Sequence, residues 1–208
     1  MEPTVTVQDT EAIVRRHCDA RNYGAAATAL LEAYGPSILG FLGSRVASRA
    51  AADEVFSMFC EDLWRGLPDF EWRCSARAWA YALARHAAIR FNKSADRKLA
   101  QAVPLSDAPE VFAAADRVRS TTRPHLRSEV KGHFRALRER LPEQEQTILV
   151  LRVDRGLTWN EIAQVLGGPH PLPRDELRTA AARARKRLQQ VKAKLRQWAV
   201  DEGILEKR

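Results

Sequence analysis

The sequence has few cysteines and no long apolar run without charges. Its 208 residues include three cysteines, Cys18, Cys60 and Cys74, an odd number with no CxxC pair. This usage excludes a disulfide-stapled scaffold and favours a reducing cytoplasm. The longest stretch without a charge, 33–44, contains Gly and Pro and is far shorter than the roughly 18 apolar residues of a membrane span. The acidic, polar N-terminus predicts no signal or transit peptide, so we expect a cytoplasmic protein without a membrane segment.

Motifs for catalysis, metals and nucleotides are missing as well. The five histidines fall in no spacing that is typical of a metal site. There is no glycine-rich phosphate loop, no dinucleotide-binding fingerprint and no nucleophile elbow. We therefore predict that the protein is not an enzyme and needs no metal or cofactor. Cys60 and Cys74 are a candidate redox pair, although buried thiols are the favoured interpretation.

Positive charge is in excess, and it comes in a definite order. Lys and Arg number 34 against 26 Asp and Glu, a formal net charge of +8. Residues 1–71 carry a net charge of −5, residues 72–98 carry +6, and residues 178–196 hold eight basic residues and no acidic one. For a single basic run a solvated helix face is the alternative, but two such blocks favour contacts with nucleic-acid phosphates.

The residue pattern predicts helices throughout. No sustained alternation of polar and apolar residues indicates a strand, and 45% of the residues are apolar, so we predict an all-α fold with a real core. The predicted helices cover 11–21, 25–33, 37–48, 50–65, 75–97, 128–141 and 143–154, a short helix that ends at Gly167, and a long helix over 174–200. Turn-forming residues mark a linker over 99–127, with a short helix near 111–118. This linker joins an N-terminal domain, 1–98, to a second domain, 128–208.

The second domain has the form of a helix-turn-helix. Thr158 and Glu161 make a T-x-x-E capping box, and Leu157 with Ile162 matches a hydrophobic staple. A connector and a longer basic helix follow, and the apolar residues of that helix repeat every three or four positions. In such a motif the first helix braces and the second enters the major groove of duplex DNA. An ordinary helical hairpin with a solvated basic face is the alternative.

The long helix supplies most of the candidate contacts to duplex DNA. Residues in or near its N-terminal half are placed to reach base edges: Arg174, Arg178, Thr179 and Arg183. Basic residues further along are expected to meet phosphate: Arg185, Lys186 and Arg187. Thr158, at the start of the bracing helix, completes this set.

The other basic block is interleaved with aromatic residues, which suits single-stranded nucleic acid. Unstacked bases stack on rings while arginines meet the phosphates. The candidates are Phe70, Trp72, Arg73, Arg77, Trp79, Arg85 and Arg90. For any one of Trp79, Tyr81 and Phe91 a place in the core is the favoured interpretation, whereas Phe70 and Trp72 fall in a predicted loop.

Both blocks resemble parts of sigma-70 family RNA polymerase sigma factors of the extracytoplasmic-function (ECF) group. The stretches YGP, ADEVFSMFCEDLWRGLPDF and RAWAYALARHAAIRF are similar to the family's region 2, over about 31–98. The stretches LPEQEQTILVLRVDRGLTWNEIAQVLG and RTAAARARKRL are similar to its region 4, over about 134–195. The chain departs from the family's acidic D-x-x-Q-E pattern, because Ser57 stands where Gln is usual and Met58 where Glu is usual.

The resemblance implies a bacterial initiation factor that binds core RNA polymerase and directs it to promoters. Region 4 would read the −35 element, and region 2, with the loop 66–74 and Trp79, would capture the melted −10 strand. Polymerase docking would use the β′ clamp helices and the β flap. The residues implied at the clamp are Asp53, Glu54, Phe56, Ser57, Phe59 and Cys60. An anti-sigma factor, or a kinase that restores negative charge at Ser57, is a further hypothetical partner.

Two other classes of function stay open at this point. A stand-alone helix-turn-helix regulator would bind duplex DNA without polymerase, as a dimer on a palindrome, and would leave the aromatic block unused. A helical adaptor is the third hypothesis, because 13–34 is similar to one helix hairpin of a repeat protein. Duplex binding without polymerase separates the first two hypotheses, and a lack of nucleic-acid binding at low salt favours the third.

Overall fold

A computed structural model describes residues 6–46, 48–94, 108–121 and 136–205, and every regular element in these ranges is helical. The all-α prediction is therefore confirmed. The elements are α1 (Val7–Asp19), α2 (Tyr23–Leu42), α3 (Arg49–Gly66), a 3-10 turn (Leu67–Asp69), α4 (Ala76–Ser94), α5 (Pro109–Thr121), α6 (Glu143–Leu149), a π-helical turn (Val150–Asp154), α7 (Trp159–Gly167) and α8 (Arg174–Asp201). They form two compact units, the first built from α1 to α5 and the second from α6 to α8.

Helix α2 is the centre of the first unit. It packs against α1, α3, α4 and α5. These neighbours bury its large apolar side chains almost completely: Leu30, Leu31, Ile38, Phe41 and Leu42. By length and hydropathy alone α2 would pass for a membrane span, but more than half of its apolar stretch is buried inside the unit. Helix packing therefore accounts for its apolar surface.

The sequence predicts two helices here, 25–33 and 37–48, with Gly35 and Pro36 at the start of the second. This prediction is wrong, because α2 runs unbroken through both residues. Pro36 lies on the exposed side of the helix, where water can solvate the carbonyl group that loses its hydrogen bond. Gly35 is buried beneath α5, and a Cβ at this position would lie 2.7 Å from Cγ2 of Val118. Gly35 therefore permits close helix packing and does not form a turn.

Helix α1 begins one turn earlier than predicted, at Val7. Its N-terminal cap is Thr6. The Oγ1 of Thr6 accepts a hydrogen bond from the amide of Asp9 at 3.2 Å, and the Asp9 carboxylate accepts one from the amide of Thr6 at 3.0 Å. Hydrogen bonds from the hydroxyl and amide of Thr6 lower the pKa of Asp9. Thr10 is buried and donates its hydroxyl to the carbonyl of Thr6.

The predicted linker, 99–127, contains α5, which packs on α2 and α3 as part of the first unit. The inner face of α5 is apolar and consists mostly of small residues, all of them buried: Val111, Ala114, Ala115 and Val118. The linker assignment is thus corrected for 109–121. Residues 95–107 and 122–135 lie outside the described residues, as does the first part of the predicted helix 128–141.

The second unit agrees with the local signals in its sequence. After α6 and its π-helical turn, Gly156 has a φ of +66°, a left-handed value that favours glycine. The capping box of α7 is present, since the amide of Thr158 donates to the Glu161 carboxylate at 2.8 Å and the amide of Glu161 donates to Oγ1 of Thr158 at 3.3 Å. Of the apolar residues that repeat every three or four positions along α8, those in the middle of the helix are buried: Ala181, Ala184, Leu188 and Val191.

Candidate nucleic-acid and polymerase interfaces

The segment between α3 and α4, residues 67–75, is the aromatic loop of the first unit. The ring centroids of Phe70 and Trp72 are 4.9 Å apart, and Phe70 stacks on Trp79 of α4 at 4.6 Å with 21° between the ring planes. Trp72 has a φ of +57°, a left-handed conformation that is rare for a large side chain. Gly66 makes room, since a Cβ there would lie 2.9 Å from the Trp79 ring. The three rings therefore form one preformed cluster.

Only part of this cluster is open to solvent. Phe70 and Trp72 are half-buried, so each retains surface for a ligand. Trp79 is 6% exposed and forms the floor on which Phe70 rests. Tyr81 is fully buried. Base stacking is therefore expected on Phe70 and Trp72, with Trp79 supporting them from below.

Three of the predicted arginines lie in the aromatic loop or along α4. The side chain of Arg73 is 57% exposed, and the guanidinium of Arg77 lies 5.8 Å from the ring centre of Tyr34. Arg85, further along α4, is half-buried. Aromatic rings and cations thus occur together in this unit, which is the combination that single-stranded nucleic acid requires.

Arg90 has a different environment. Its Nη2 lies 2.5 Å from Oδ2 of Asp62, in an ion pair that joins α4 to α3. His86, one turn earlier, has a lowered pKa because it is partly buried and lies near the positive charge of Arg90. Arg90 therefore helps to hold α4 against α3, and its predicted −10 contact stays a prediction.

Sequence reasoning missed the contacts that α1 makes with this site. The carboxylate of Glu11 accepts hydrogen bonds from the backbone amides of Ala76, at 2.8 Å, and Arg77, at 2.9 Å. Arg15, one turn later on α1, places its guanidinium 5.3 Å from the ring centre of Trp72. No local signal could have found these contacts, because Glu11 and Ala76 are 65 residues apart in the chain.

The predicted polymerase-docking residues of α3 divide into a buried and an accessible set. Three side chains are completely buried: Phe56, Phe59 and Cys60. Their assignment to a docking surface is corrected, because they pack in the core of their own unit, where burial raises the pKa of the Cys60 thiol to about 12. Asp53, Glu54 and Ser57 keep some exposure, and we call these three residues the α3 surface.

Helix α5 covers part of the α3 surface. The Nη2 of Arg119 donates a hydrogen bond to Oγ of Ser57 at 2.7 Å, and its guanidinium lies 5.5 Å from the ring centre of Phe56. The Ser57 hydroxyl donates in turn to the carbonyl of Asp53 at 3.1 Å. Arg49 donates to the carbonyl of Arg119 at 3.1 Å and forms an ion pair with Asp53. Ser57 is therefore hydrogen-bonded on both sides within the chain.

All the predicted DNA-contacting residues of the second unit are exposed: Thr158, Arg174, Arg178, Thr179, Arg183, Arg185, Lys186 and Arg187. Helical spacing places Ala182, Arg185, Lys186 and Gln189 on one side of α8. Together with Trp159 of α7 they line a shallow groove of ≈ 450 Å³. This side of α8 thus offers cations beside an apolar wall, a surface that suits phosphates and base edges in a groove of duplex DNA.

Arg187 is different from the other exposed cations of α8. Its Nη1 lies 3.2 Å from Oε1 of Glu145 on α6, whose side chain is 4% exposed, and Nζ of Lys194 lies 3.1 Å from the same carboxylate. The buried glutamate thus holds two cations of α8 toward α6. The ion pair gives Arg187 a role in helix packing, and its predicted phosphate contact stays a prediction. A glutamate in the first turn of a helix normally faces water, so the sequence carries no sign of this pair.

In the part of the chain that the structure describes, no three His, Cys, Asp or Glu residues lie close enough together to hold a metal ion. The three cysteines are free thiols. Burial raises the pKa of Cys74 to about 11, with a smaller contribution from the negative charge of Glu11. Thiolate chemistry is therefore disfavoured at Cys60 and Cys74.

Two family models match the chain. The model of Sigma-70 region 2 matches residues 30–98, and the model of Sigma-70, region 4 matches residues 139–196. The first match covers about two thirds of α2, from Leu30 onward, together with α3, the aromatic loop and α4, and the second covers α6, α7 and most of α8. Helices α1 and α5 lie outside both matches. No curated protein matches the chain.

Proposed function

The chain belongs to the sigma-70 family of RNA polymerase sigma factors, and we propose that it binds core RNA polymerase and directs it to specific promoters as a member of the ECF group. Promoter recognition and transcription initiation are the role of its region 2 and region 4 domains. One observation carries the finer proposal: a single chain has a stacked aromatic loop with cations in one unit and an exposed basic helix-turn-helix in the other. A regulator that binds only duplex DNA does not need the aromatic loop.

Region 4 is proposed to read the −35 element as duplex DNA. The exposed side of α8 enters the major groove, where Arg178 and its neighbours reach base edges while Arg185 and Lys186 meet phosphate. Trp159 supplies the apolar wall of the same surface. Because each phosphate contact releases counterions, binding is expected to weaken steeply with salt.

Region 2 is proposed to capture the melted −10 strand. Unpaired bases stack on Phe70 and Trp72, and the neighbouring Arg73 and Arg77 meet the phosphates. A strand that is held in this way no longer pairs with its complement, so capture shifts the equilibrium of the duplex toward the open form. No bond is made or broken, and the proposed role needs no enzyme activity and no cofactor.

Polymerase docking is proposed at the α3 surface for the β′ clamp helices and at region 4 for the β flap. Glu54 is the acidic residue of the α3 surface with the greatest exposure. An anti-sigma factor, or a kinase that modifies Ser57, is a further proposed partner, and the protein is proposed to act in the cytoplasm. Arg119 already faces the Ser57 hydroxyl, and an arginine at this position would pair with a phosphate. Unchanged transcription by Ser57→Ala would remove the kinase proposal.

The decisive experiment mixes the tagged protein with bacterial core RNA polymerase and then transcribes a genomic fragment library in run-off reactions. Retention of polymerase together with new, discrete transcripts is the expected result. Glu54→Lys should weaken retention of polymerase, whereas Arg178→Ala should weaken binding to the −35 duplex and leave polymerase retention intact. Duplex binding by a dimer on a palindrome, with no retention of polymerase, would instead establish a stand-alone regulator.

A further inference from the structure

Helix α1 lies outside the matched regions, yet it touches the aromatic loop and the helix after it. Glu11 and Arg15 are one helical turn apart and therefore lie on the same side of α1. Glu11 contacts the start of α4, and Arg15 contacts Trp72. The two side chains thus hold the segment 72–77 at both ends.

Glu11 completes the N-terminus of α4. The first amides of a helix have no partner within the helix. Here the two oxygens of Glu11 accept from Ala76 and Arg77, and Oγ of Ser75 accepts from Ala78 at 3.1 Å. A carboxylate at this position also interacts favourably with the positive end of the helix dipole. Glu11 therefore fixes where α4 begins and, with it, the backbone that carries Arg77.

Arg15 acts on the other end of the segment. Trp72 has left-handed backbone geometry, which persists only where surrounding contacts hold it. The guanidinium of Arg15 lies over the indole ring at 5.3 Å, within the range of a cation–π interaction. The same indole lies 4.9 Å from Phe70. Arg15 thus restricts the ring on which a base is proposed to stack.

We propose that α1 is a positioning element for single-strand capture, in which Glu11 and Arg15 order the aromatic loop before DNA arrives. This inference rests on the proposed function, because it assumes that Phe70 and Trp72 meet unpaired bases. A preformed loop loses less conformational entropy on binding, so it binds its ligand with higher affinity. Helix α1 then belongs to the −10 reading surface, although it precedes region 2 in the chain.

The test measures fluorescence anisotropy of the full-length protein with a labelled pool of random single-stranded 12-mers. A labelled pool of duplexes reports on region 4 in parallel. Glu11→Gln keeps the size of the side chain but loses the charge and one of the two acceptors, and Arg15→Ala removes the cation. Each variant should weaken single-strand affinity by roughly fivefold and leave duplex affinity unchanged. Arg16→Ala, next to Arg15 on the exposed side of α1, is the matched control and should behave as wild type.

Two further variants separate positioning from a general loss of structure. Arg15→Lys keeps the charge and should restore part of the lost affinity. In a Trp72→Ala background, Arg15→Ala should have no additional effect, because its target ring is gone. Full single-strand affinity in Glu11→Gln and Arg15→Ala, alongside a loss in Trp72→Ala, would overturn the role of α1 and leave the proposed −10 contact standing. If neither wild type nor Trp72→Ala binds single strands, the −10 contact and the role of α1 both fall.

Discussion

The guanidinium of Arg119 on α5 donates a 2.7 Å hydrogen bond to the hydroxyl of Ser57 on α3. Ser57 stands where the family's acidic stretch usually has Gln. Its hydroxyl also donates to the carbonyl of Asp53, so the hydroxyl both accepts and donates a hydrogen bond within the chain. Helix α5 thus contributes directly to the environment of Ser57 on the α3 surface.

Arg119→Ala is expected to destabilise the first unit. The variant loses the hydrogen bond to Ser57 and the contact with the Phe56 ring, together worth about 1–2 kcal/mol. Urea denaturation of the full chain, monitored by tryptophan fluorescence, measures the change in the free energy of unfolding. The control is Arg117→Ala, because the ion pair between Arg117 and Glu32 is more than half exposed and should contribute less than about 1 kcal/mol. Equal losses in both variants would contradict the packing of α5 described here.

Gly35→Ala should destabilise the first unit, even though alanine is the better helix former. The exchange gains about 1 kcal/mol in helix propensity, but the new Cβ would lie 2.7 Å from Cγ2 of Val118, and overpacking costs about 1–3 kcal/mol. Thermal unfolding of Gly35→Ala, Val118→Ala and the double variant measures the coupling. The double variant should lose less stability than the sum of the two single losses; simple additivity would mean that α5 does not pack on Gly35.

Arg185→Ala and Arg187→Ala should affect different properties of the protein, although both residues are exposed cations of α8. Arg185 lines the open groove, so its loss should weaken duplex binding and reduce the salt slope by about 1. Arg187 pairs with the buried carboxylate of Glu145, so its loss should cost about 1 kcal/mol of stability and leave the salt slope unchanged. Titration of duplex DNA at several salt concentrations, together with thermal unfolding, gives both quantities. A change in salt slope for Arg187→Ala would instead support the phosphate contact that the sequence predicts.

Cys60 and Cys74 should be unreactive in the native protein. Burial raises the pKa of Cys60 to about 12 and that of Cys74 to about 11, so at pH 8 almost no thiolate is present to attack a reagent. Iodoacetamide labelling at pH 8, read by mass spectrometry, should leave both thiols unmodified until guanidinium is added. Rapid formation of a Cys60–Cys74 disulfide under a mild oxidant would support the redox pair instead.

Local patterns predicted the elements that depend on neighbours in sequence. The capping box at Thr158 and the extent of α8 follow from residues three to seven positions apart, and both are present. The continuous path of α2 through Gly35 and the Glu11 cap of α4 depend on residues far apart in the chain, so no local pattern reveals them. For the candidate site, the family resemblance implies a docking role for Phe56, whereas the structure buries its side chain in the core of the first unit.

The packing of α5 on α2 also decides which part of the chain can fold as the first unit. The matched region 30–98 leaves out α1 and α5, although both helices pack on α2. Without them, apolar surface of α2 that the full unit buries would face water. A fragment that keeps this core intact therefore has to run from α1 to the end of α5 at Thr121.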